Sequence, residues 1–210
     1  MFVDLTRDYV GPIAPFALEQ REVLLRSANT AYTGIIYEFS SGSMQGTYLD
    51  LPGHIQETDD GQTAANFPIE NLYRLPASLI RLDRASGSGA VTAGELEEAF
   101  GGIPDTPGII INALGERNPE QIEARSVFLD MNAVQWLIDA GCKMLLSDIY
   151  ESQALEGVFL KLFRAGVCTV CEPVNLAKIT APKVKLTVLF PKFPQMTQFP
   201  CRVIAEWNDN

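Results

Sequence analysis

The middle of the chain alternates short apolar runs with segments that carry helix start and stop signals, and this alternation constrains the fold most. The apolar runs predict buried strands over 108–111, 143–147 and 167–172. Helix signals mark three further segments, namely the capping box from Thr92 to about residue 100, Asp130 to Gly141, and 152–165. Because strands that alternate with helices form layered folds, the sequence predicts an α/β fold with a mixed sheet.

Strand-like runs also lie toward both ends of the sequence. They cover 2–5, 35–39, 79–83, 185–190 and 202–207. Proline and glycine are spread along the chain as turn residues rather than gathered into a linker, and no internal repeat is visible. We therefore expect one domain over 1–210.

The charge balance limits the partners that this chain could bind. The 16 Lys and Arg side chains against 26 Asp and Glu give a formal net charge of −10, and the basic residues form no cluster. This argues against a nucleic-acid backbone or an anionic membrane as the partner and leaves a small molecule. No run of about 18 apolar residues is present, and Asp4 lies where a signal peptide would be basic or apolar. A cytoplasmic location is expected.

The cysteines allow two interpretations. Cys168 and Cys171 have the spacing of a redox pair. They also lie in an apolar run that predicts a buried strand, in which residues three apart point to opposite faces. We favour reduced, structural thiols for all four cysteines, which include Cys142 and Cys201.

His54 is the only histidine in the sequence. This count excludes a metal site that needs two or three imidazoles from one chain. His54 closes the most unusual segment, Met44-Gln-Gly-Thr-Tyr-Leu-Asp-Leu-Pro-Gly-His54. If the segment is an extended strand, Met44, Gly46, Tyr48 and Asp50 line one side of it, and a turn at the proline then brings His54 nearby.

This segment resembles the signature His-x-Gly-Thr-His-x-Asp-x-Pro-x-His of the metal-dependent cyclase family, which includes bacterial kynurenine formamidase and isatin hydrolase. Val3-Asp-Leu-Thr6 is similar to the opening strand of the family, and 129–148 to its helix followed by a strand that ends in Asp. The segment 167–176 is similar to the one that supplies a glutamate, and 199–205 to the closing Pro-x-Arg strand. The resemblance implies a single swivelling β/β/α domain that assembles as a homodimer or homotetramer.

The departures from this signature fall on the metal ligands of the family. Two ligand histidines correspond to Met44 and Tyr48, and a third corresponds to Val158 or Phe159. A thioether is a poor donor to zinc or manganese, and a phenol would first have to lose its proton. We therefore expect no metal cofactor. The alternative is a divalent cation held weakly by the retained carboxylates, Asp50 and Glu172.

The retained positions suggest how catalysis could proceed. His54 falls on the general acid/base position of the family, so we assign it the proton transfer, with Asp50 to orient it. Tyr48 or Glu172 would polarise or protonate the substrate. The loss of histidines makes the cavity more apolar, which suits either a hydrophobic substrate or a filled, closed site. The predicted substrate-binding residues are Met44, Thr47 and Phe159.

Together these features favour a cyclase-family enzyme that acts on a small amide, lactone or ring-forming carbonyl compound by metal-independent acid/base catalysis. Without an ion to lower the pKa of bound water, hydrolysis of an unactivated amide is harder to catalyse. We therefore favour cyclisation, dehydration or isomerisation as the reaction. Two alternatives remain. One is a non-catalytic paralogue that binds a small molecule or a partner, and the other is an arylformamidase-like hydrolase with an altered metal-ligand set.

Overall fold

A computed structural model describes residues 1–9, 16–84 and 89–208 of the chain. The strands are β1 (Phe2–Asp4), β2 (Phe16–Arg26), β3 (Ala31–Ser41), β4 (Tyr48–Asp50), β5 (Leu75–Arg81), β6 (Gly89–Val91), β7 (Gly108–Asn112), β8 (Val127–Leu129), β9 (Met144–Ser147), β10 (Cys168–Cys171), β11 (Lys183–Leu189), β12 (Gln198–Pro200) and β13 (Arg202–Glu206). The helices are α1 (Ala93–Phe100), α2 (Met131–Asp139) and α3 (Val158–Arg164).

Nine of these strands form one mixed sheet in the order β1-β13-β11-β5-β7-β9-β10-β4-β12. The four strands from β5 to β10 in this order are parallel, and the strands outside them pair antiparallel. Strands β2 and β3 form a separate hairpin, and β6 pairs with β8. The predicted α/β fold with a mixed sheet is confirmed.

The main sheet carries an apolar core on each side. In β7, Ile109 and Ile111 pack into the core that includes the helices, whereas Ile110 packs into the core on the opposite side. This alternation follows from the two-residue period of a strand, and it explains why β7 is apolar at successive positions. On the helical side, Val134 and Leu137 of α2 are fully buried.

Helix α3 begins later than the sequence predicts. The prediction of a helix over 152–165 was wrong before Val158, because the chain first loops around the carboxylate of Glu151. That carboxylate accepts hydrogen bonds from the backbone N–H groups of Glu156, Gly157 and Val158 at 2.8–3.1 Å. Gly157 immediately precedes the helix and has φ of 93°, a backbone conformation that residues with a side chain rarely adopt. A buried acceptor therefore sets the start of α3.

The hairpin of β2 and β3 is longer than the sequence analysis suggested. The strand predicted over 35–39 runs from Ala31 to Ser41, and its partner β2 was not predicted. The sequence of β2 mixes charged and apolar residues without a regular alternation, because most positions on both of its faces are exposed. A strand without a buried face lacks the period-two signal that identifies strands in sequence.

The segment before β4 is not extended. Gly46 has φ of 63°, in the left-handed region, and the strand begins only at Tyr48. The expectation that Met44 shares one strand face with Tyr48 and Asp50 was therefore wrong, although Tyr48 and Asp50 do share a face. The carbonyl oxygen of Arg7 lies 3.0 Å from where a Cβ at position 46 would stand. Close approach of this backbone thus favours glycine here.

Strand β4 lies between β10 and β12, near one edge of the sheet. Its residues are opposite β10 on one side, where Tyr48 pairs with Cys171, and opposite β12 on the other, where Asp50 pairs with Gln198.

The described part of the chain contains no helix long and apolar enough to cross a membrane.

Candidate active site

Asp50 lies at the centre of a buried polar cluster on one face of β4. Its side chain is opposite Thr169 in the strand register, and the thiol of Cys171 donates a hydrogen bond to its Oδ2 at 3.7 Å. The hydroxyl of Thr169 lies 3.6 Å from the Cys171 sulfur. Asp50 is only 3% exposed, so its carboxyl group interacts with these neighbours rather than with bulk water.

Burial raises the pKa of Asp50 above its ordinary value, although His54, Gln198 and Cys171 lower it in part. One carboxyl oxygen, Oδ1, has no hydrogen-bond partner among the residues that the structure describes. A buried carboxylate with an unpaired oxygen is costly, because the charge loses hydration without a compensating bond. The site therefore favours the neutral form of Asp50 more than water does.

Gln198 connects Asp50 with the single histidine. Its Nε2 lies 3.0 Å from Nε2 of His54, and its side chain also hydrogen-bonds Asp50. The hydroxyl of Ser43 donates to Gln198 Oε1, which leaves the amide N–H groups for the other two partners. In this hydrogen-bond network His54 Nε2 is the acceptor, so the proton of the neutral ring is assigned to Nδ1.

Tyr48 lines a cavity of about 530 Å³ beside this cluster. Two further aromatic residues of the cavity wall, Tyr150 and Phe159, stack at 5.2 Å between ring centroids and 27° between planes. Burial, with Cys171 and Asp50 nearby, raises the pKa of Tyr48 far above its usual value. The Tyr48 phenol is therefore a neutral hydrogen-bond donor over the whole physiological pH range.

Glu172 reaches the same cavity from the end of β10. It has φ of 57°, and its carboxylate lies 3.2 Å from Nη2 of Arg7, which also pairs with Glu120. The Thr47 hydroxyl donates to the backbone carbonyl oxygen of Glu172 at 2.8 Å.

Thr47 ties together the segments that carry Arg7 and Glu172. Its hydroxyl accepts a hydrogen bond from the Arg7 N–H at 2.8 Å while it donates to Glu172, and the residue is 1% exposed. The Thr47 hydroxyl therefore already has both a donor and an acceptor within the protein. The role of Thr47 in substrate binding remains a prediction, whereas its role in positioning the two charged residues follows from these bonds.

We expect Thr47→Val to lower the free energy of unfolding by about 2–3 kcal/mol, because the valine leaves a buried N–H and a buried carbonyl unpaired. Urea unfolding followed by circular dichroism measures this change. Thr33→Val, at an exposed position of β3, is the matched control and should change stability by less than about 0.5 kcal/mol. Equal changes in the free energy of unfolding for the two substitutions would contradict the structural role of the Thr47 hydrogen bonds.

The structure separates the predicted site residues into two neighbouring groups. Tyr48, Glu172 and Phe159 line the aromatic cavity. Asp50 and His54 lie on the β12 side and are joined through Gln198, with His54 exposed to solvent and Asp50 buried. Met44 is 37% exposed and is not part of the wall of this cavity, so its substrate-binding role remains a prediction.

Sequence reasoning missed four residues that shape the site: Arg7, Tyr150, Cys171 and Gln198. Cys171 was assigned a structural role, and the structure shows all four cysteines buried and free. Its position next to Glu172 could have suggested a place in the site. Gln198, in contrast, lies 144 residues from His54 and gives no local signal, because only the pairing of β12 with β4 brings it there.

The donors present do not fit the metal that the family resemblance implies. Among the described residues, no three His, Cys, Asp or Glu side chains lie close enough together to hold an ion. The raised pKa of Tyr48 disfavours a phenolate ligand, and Glu172 is already paired with the Arg7 guanidinium. A thioether at Met44 adds a poor donor. Metal independence and the weak Asp50 and Glu172 alternative both remain predictions.

Comparison with known proteins agrees with the fold and the signature. Residues 3–153 match the family model described as "Putative cyclase". Isatin hydrolase A from Ralstonia solanacearum superposes with a TM-score of 0.77 at 20% identity, over 98% of this chain and 91% of that one. Isatin hydrolase A from Labrenzia aggregata, bound to benzyl benzoate, gives 0.75 at 18% identity, over 98% and 93%.

A third structure, an isatin hydrolase bound to the product analogue thioisatinate, gives a TM-score of 0.70 at 17% identity, over 97% of this chain and 91% of that one. A search of curated proteins found no match. The family match covers well over half of the sequence, so this chain belongs to the cyclase family. The structural matches, at low identity, show that its fold is that of the isatin hydrolases.

Proposed function

We propose that this chain is a cyclase-family enzyme that opens or closes a small carbonyl-containing ring by acid/base catalysis through His54, without the family metal. The observation that supports this most is the connection from buried Asp50 through Gln198 to the exposed His54. Cys171, which donates to Asp50, also lines the aromatic cavity and so links the two groups. Histidine is the side chain that ordinarily exchanges protons near neutral pH, and a ring that is both oriented and exposed can do so.

The aromatic cavity suggests the substrate class. Its volume, about 530 Å³, lies within the range of small-molecule sites, and the faces of Tyr48, Tyr150 and Phe159 suit a planar ring. Three of the similar solved structures are isatin hydrolases, and one of them has the product analogue thioisatinate bound. Isatin is a lactam with a ketone next to its amide carbonyl, so its amide is activated toward addition of water. We therefore place isatin-like lactams first among candidate substrates.

Each site residue then has a role that its surroundings support. The neutral phenol of Tyr48 donates a hydrogen bond to the substrate carbonyl oxygen as negative charge develops there. His54 takes a proton from the attacking water on Nε2, the nitrogen that accepts from Gln198 in the free protein, and returns it to the ring nitrogen when the C–N bond breaks. Asp50, acting through Gln198, is a positioning residue for His54. Glu172 remains a candidate acid, held in place by Arg7.

Activity assays with isatin and N-formylkynurenine, run in parallel, test the proposal. The protein is dialysed against a chelator, and its metal content is measured before each assay. We expect ring opening of isatin, seen as loss of its visible absorbance, at the same rate with and without added Mn²⁺ or Zn²⁺. Turnover that appears only after a metal is added would contradict metal independence and favour the arylformamidase-like alternative.

The remaining outcomes separate an enzyme from a binding protein. Calorimetric titration with thioisatinate measures occupancy of the cavity independently of turnover. Binding without turnover of either compound would favour the non-catalytic paralogue. If neither binding nor turnover is found with or without metal, the proposed substrate class is wrong.

A further inference from the structure

Two arginine side chains line the aromatic cavity, and carboxylates neutralise only one of them. Arg7 forms ion pairs with Glu120 through Nη1 and with Glu172 through Nη2. Arg125 is exposed on the same wall, and its side chain makes no ion pair or hydrogen bond with any residue that the structure describes. The wall therefore contains one cation without a counter-ion, close to a second cation that has two.

The other acidic side chains of the wall already have partners inside the protein. The carboxylate of Asp148 accepts hydrogen bonds from the N–H groups of Ala113 and Leu114, and that of Glu151 accepts them from the backbone over 156–158. Burial also raises the pKa of Asp148 above its ordinary value. A cationic ligand would thus meet no carboxylate without a partner among the described residues of the wall, so the charges here favour an anion.

Arg7 is fixed in place and has more donors than its two carboxylates use. Its backbone N–H donates to the Thr47 hydroxyl at 2.8 Å, and its side chain is only 18% exposed. A guanidinium carries five N–H donors in one plane. The Nε atom is buried and has no hydrogen-bond acceptor among the residues that the structure describes, and Nη2 approaches Glu172 at 3.2 Å without an aligned hydrogen bond.

Glu120 is the replaceable partner of Arg7. It lies in the short 3₁₀ turn Pro119–Gln121, and its side chain is 56% exposed, against 27% for Glu172. An ion pair with one partner in solvent contributes little stability, so another carboxylate can take the place of Glu120 at low cost. The planar guanidinium fits a carboxylate through two parallel hydrogen bonds, which gives such an exchange its chemical specificity.

The opening of a lactam produces the carboxylate that this arrangement could bind. Water adds to the amide carbonyl carbon, and the C–N bond then breaks. The ring nitrogen takes one proton of the water and becomes an amine, while the new carboxylic acid releases the other proton to solvent. The closed form is therefore neutral and the open form carries one negative charge, so a guanidinium beside the aromatic faces distinguishes the two.

We propose that Arg7 is the carboxylate-binding residue of the aromatic cavity, and that the open-chain form of the substrate, an aromatic carboxylate, displaces Glu120 from it. The unpaired cation of Arg125 attracts the same anion to the cavity. This inference rests on the proposed function, from which it takes the ring-opening chemistry. It adds that the site binds the open, charged form more tightly than a neutral analogue of the same shape.

Calorimetric titration with two probes of equal shape tests the proposal. Phenylglyoxylate carries an aromatic ring, a ketone and a carboxylate, and phenylglyoxamide replaces the carboxylate with a neutral amide. We expect the wild type to bind phenylglyoxylate at least about 10-fold more tightly than the amide. Arg7→Met should weaken phenylglyoxylate binding by about 10–100-fold and change the affinity for the amide by less than about threefold. Arg7→Lys keeps the charge and should retain part of the preference.

The matched control is Arg21→Met. It also removes an exposed, ion-paired arginine, but Arg21 pairs with Glu38 on the β2–β3 hairpin and lies outside the wall of the aromatic cavity. Both affinities should stay within about twofold of the wild type, because substitutions at exposed sites without special contacts have small effects.

Glu120→Gln tests the same exchange in the opposite direction. Removal of the competing carboxylate should strengthen phenylglyoxylate binding by about 3–10-fold and leave the amide affinity unchanged. Because Glu120 is exposed, this variant should fold even if Arg7→Met does not, and far-UV circular dichroism checks both proteins. No gain in affinity for phenylglyoxylate would contradict the displacement of Glu120.

Three further results would overturn the role of Arg7. They are equal affinities of the wild type for the two probes, no binding of either probe, and an Arg7→Met variant that weakens both probes equally, which is the result expected of a purely structural residue. Failure of the proposed function would look different. In that case isatin would not be turned over, while phenylglyoxylate would still bind in an Arg7-dependent manner.

Discussion

Replacement of His54 with alanine is expected to lower kcat/KM for the ring-opening substrate by about 10²–10⁴-fold, the usual contribution of a general acid or base. The expectation rests on the position of His54, which is exposed to solvent and held by Gln198. His54→Gln should be as inactive as His54→Ala, because an amide retains a hydrogen bond to Gln198 but exchanges no proton near neutral pH. Steady-state kinetics over pH 5–9 measure both effects.

Gln56→Ala is the control for the His54 variants. Gln56 is exposed, lies two residues along the same loop, and belongs to the next short 3₁₀ turn. Its replacement should leave kcat/KM within about twofold of the wild type. Unchanged turnover in His54→Ala would remove His54 from the mechanism. A loss that imidazole added to the solution restores would support proton transfer over a structural role.

Asp50→Asn is expected to raise the free energy of unfolding at pH 8 while it lowers kcat/KM by about 10²-fold. Burial raises the folded-state pKa of Asp50, so its ionised form destabilises the protein as the pH rises through that pKa. At lower pH the wild-type carboxyl group is neutral, and the difference from asparagine should disappear. Urea unfolding of both proteins from pH 4 to pH 8 measures this dependence.

Asp148→Asn provides a matched comparison, because burial also raises the pKa of Asp148. This carboxylate accepts hydrogen bonds from the N–H groups of Ala113 and Leu114, and from Asn112 Nδ2 at 3.1 Å. An amide cannot accept all three bonds, so the substitution should lower stability rather than raise it. The explanation given for Asp50, which has an unpaired oxygen, would be wrong if the two variants shifted stability in the same direction.

The parts of the fold that sequence could predict are those with a strong local signal. The apolar run of β7 and the start of α1, where Thr92 accepts from the Glu95 N–H, are both present as predicted. The hairpin and the start of α3 could not be predicted. In the hairpin both faces are exposed, and α3 depends on the side chain of Glu151, which no local pattern identifies as an acceptor.

The candidate site shows the same division. Tyr48, Asp50 and His54 were found because they lie within one short segment with a recognisable spacing. Their partners come from distant strands. Arg7 follows β1 and is held at the site by its hydrogen bond to Thr47, whereas Gln198 opens β12 and reaches the site through the pairing of β12 with β4. Sequence therefore indicated which chemical groups are present, but not that Glu172 would form an ion pair with Arg7.

The position of β4 in the sheet also affects when the site can form during synthesis. A ribosome releases β4 early, yet both strands that flank it, β10 and β12, are made more than a hundred residues later. Tyr48 and Asp50 therefore lack part of their strand pairing until Gln198 has left the exit tunnel. Long-range pairing of this kind slows folding. The site is consequently among the last parts of the molecule to assemble, and nascent chains shorter than about 200 residues should have none of its activity.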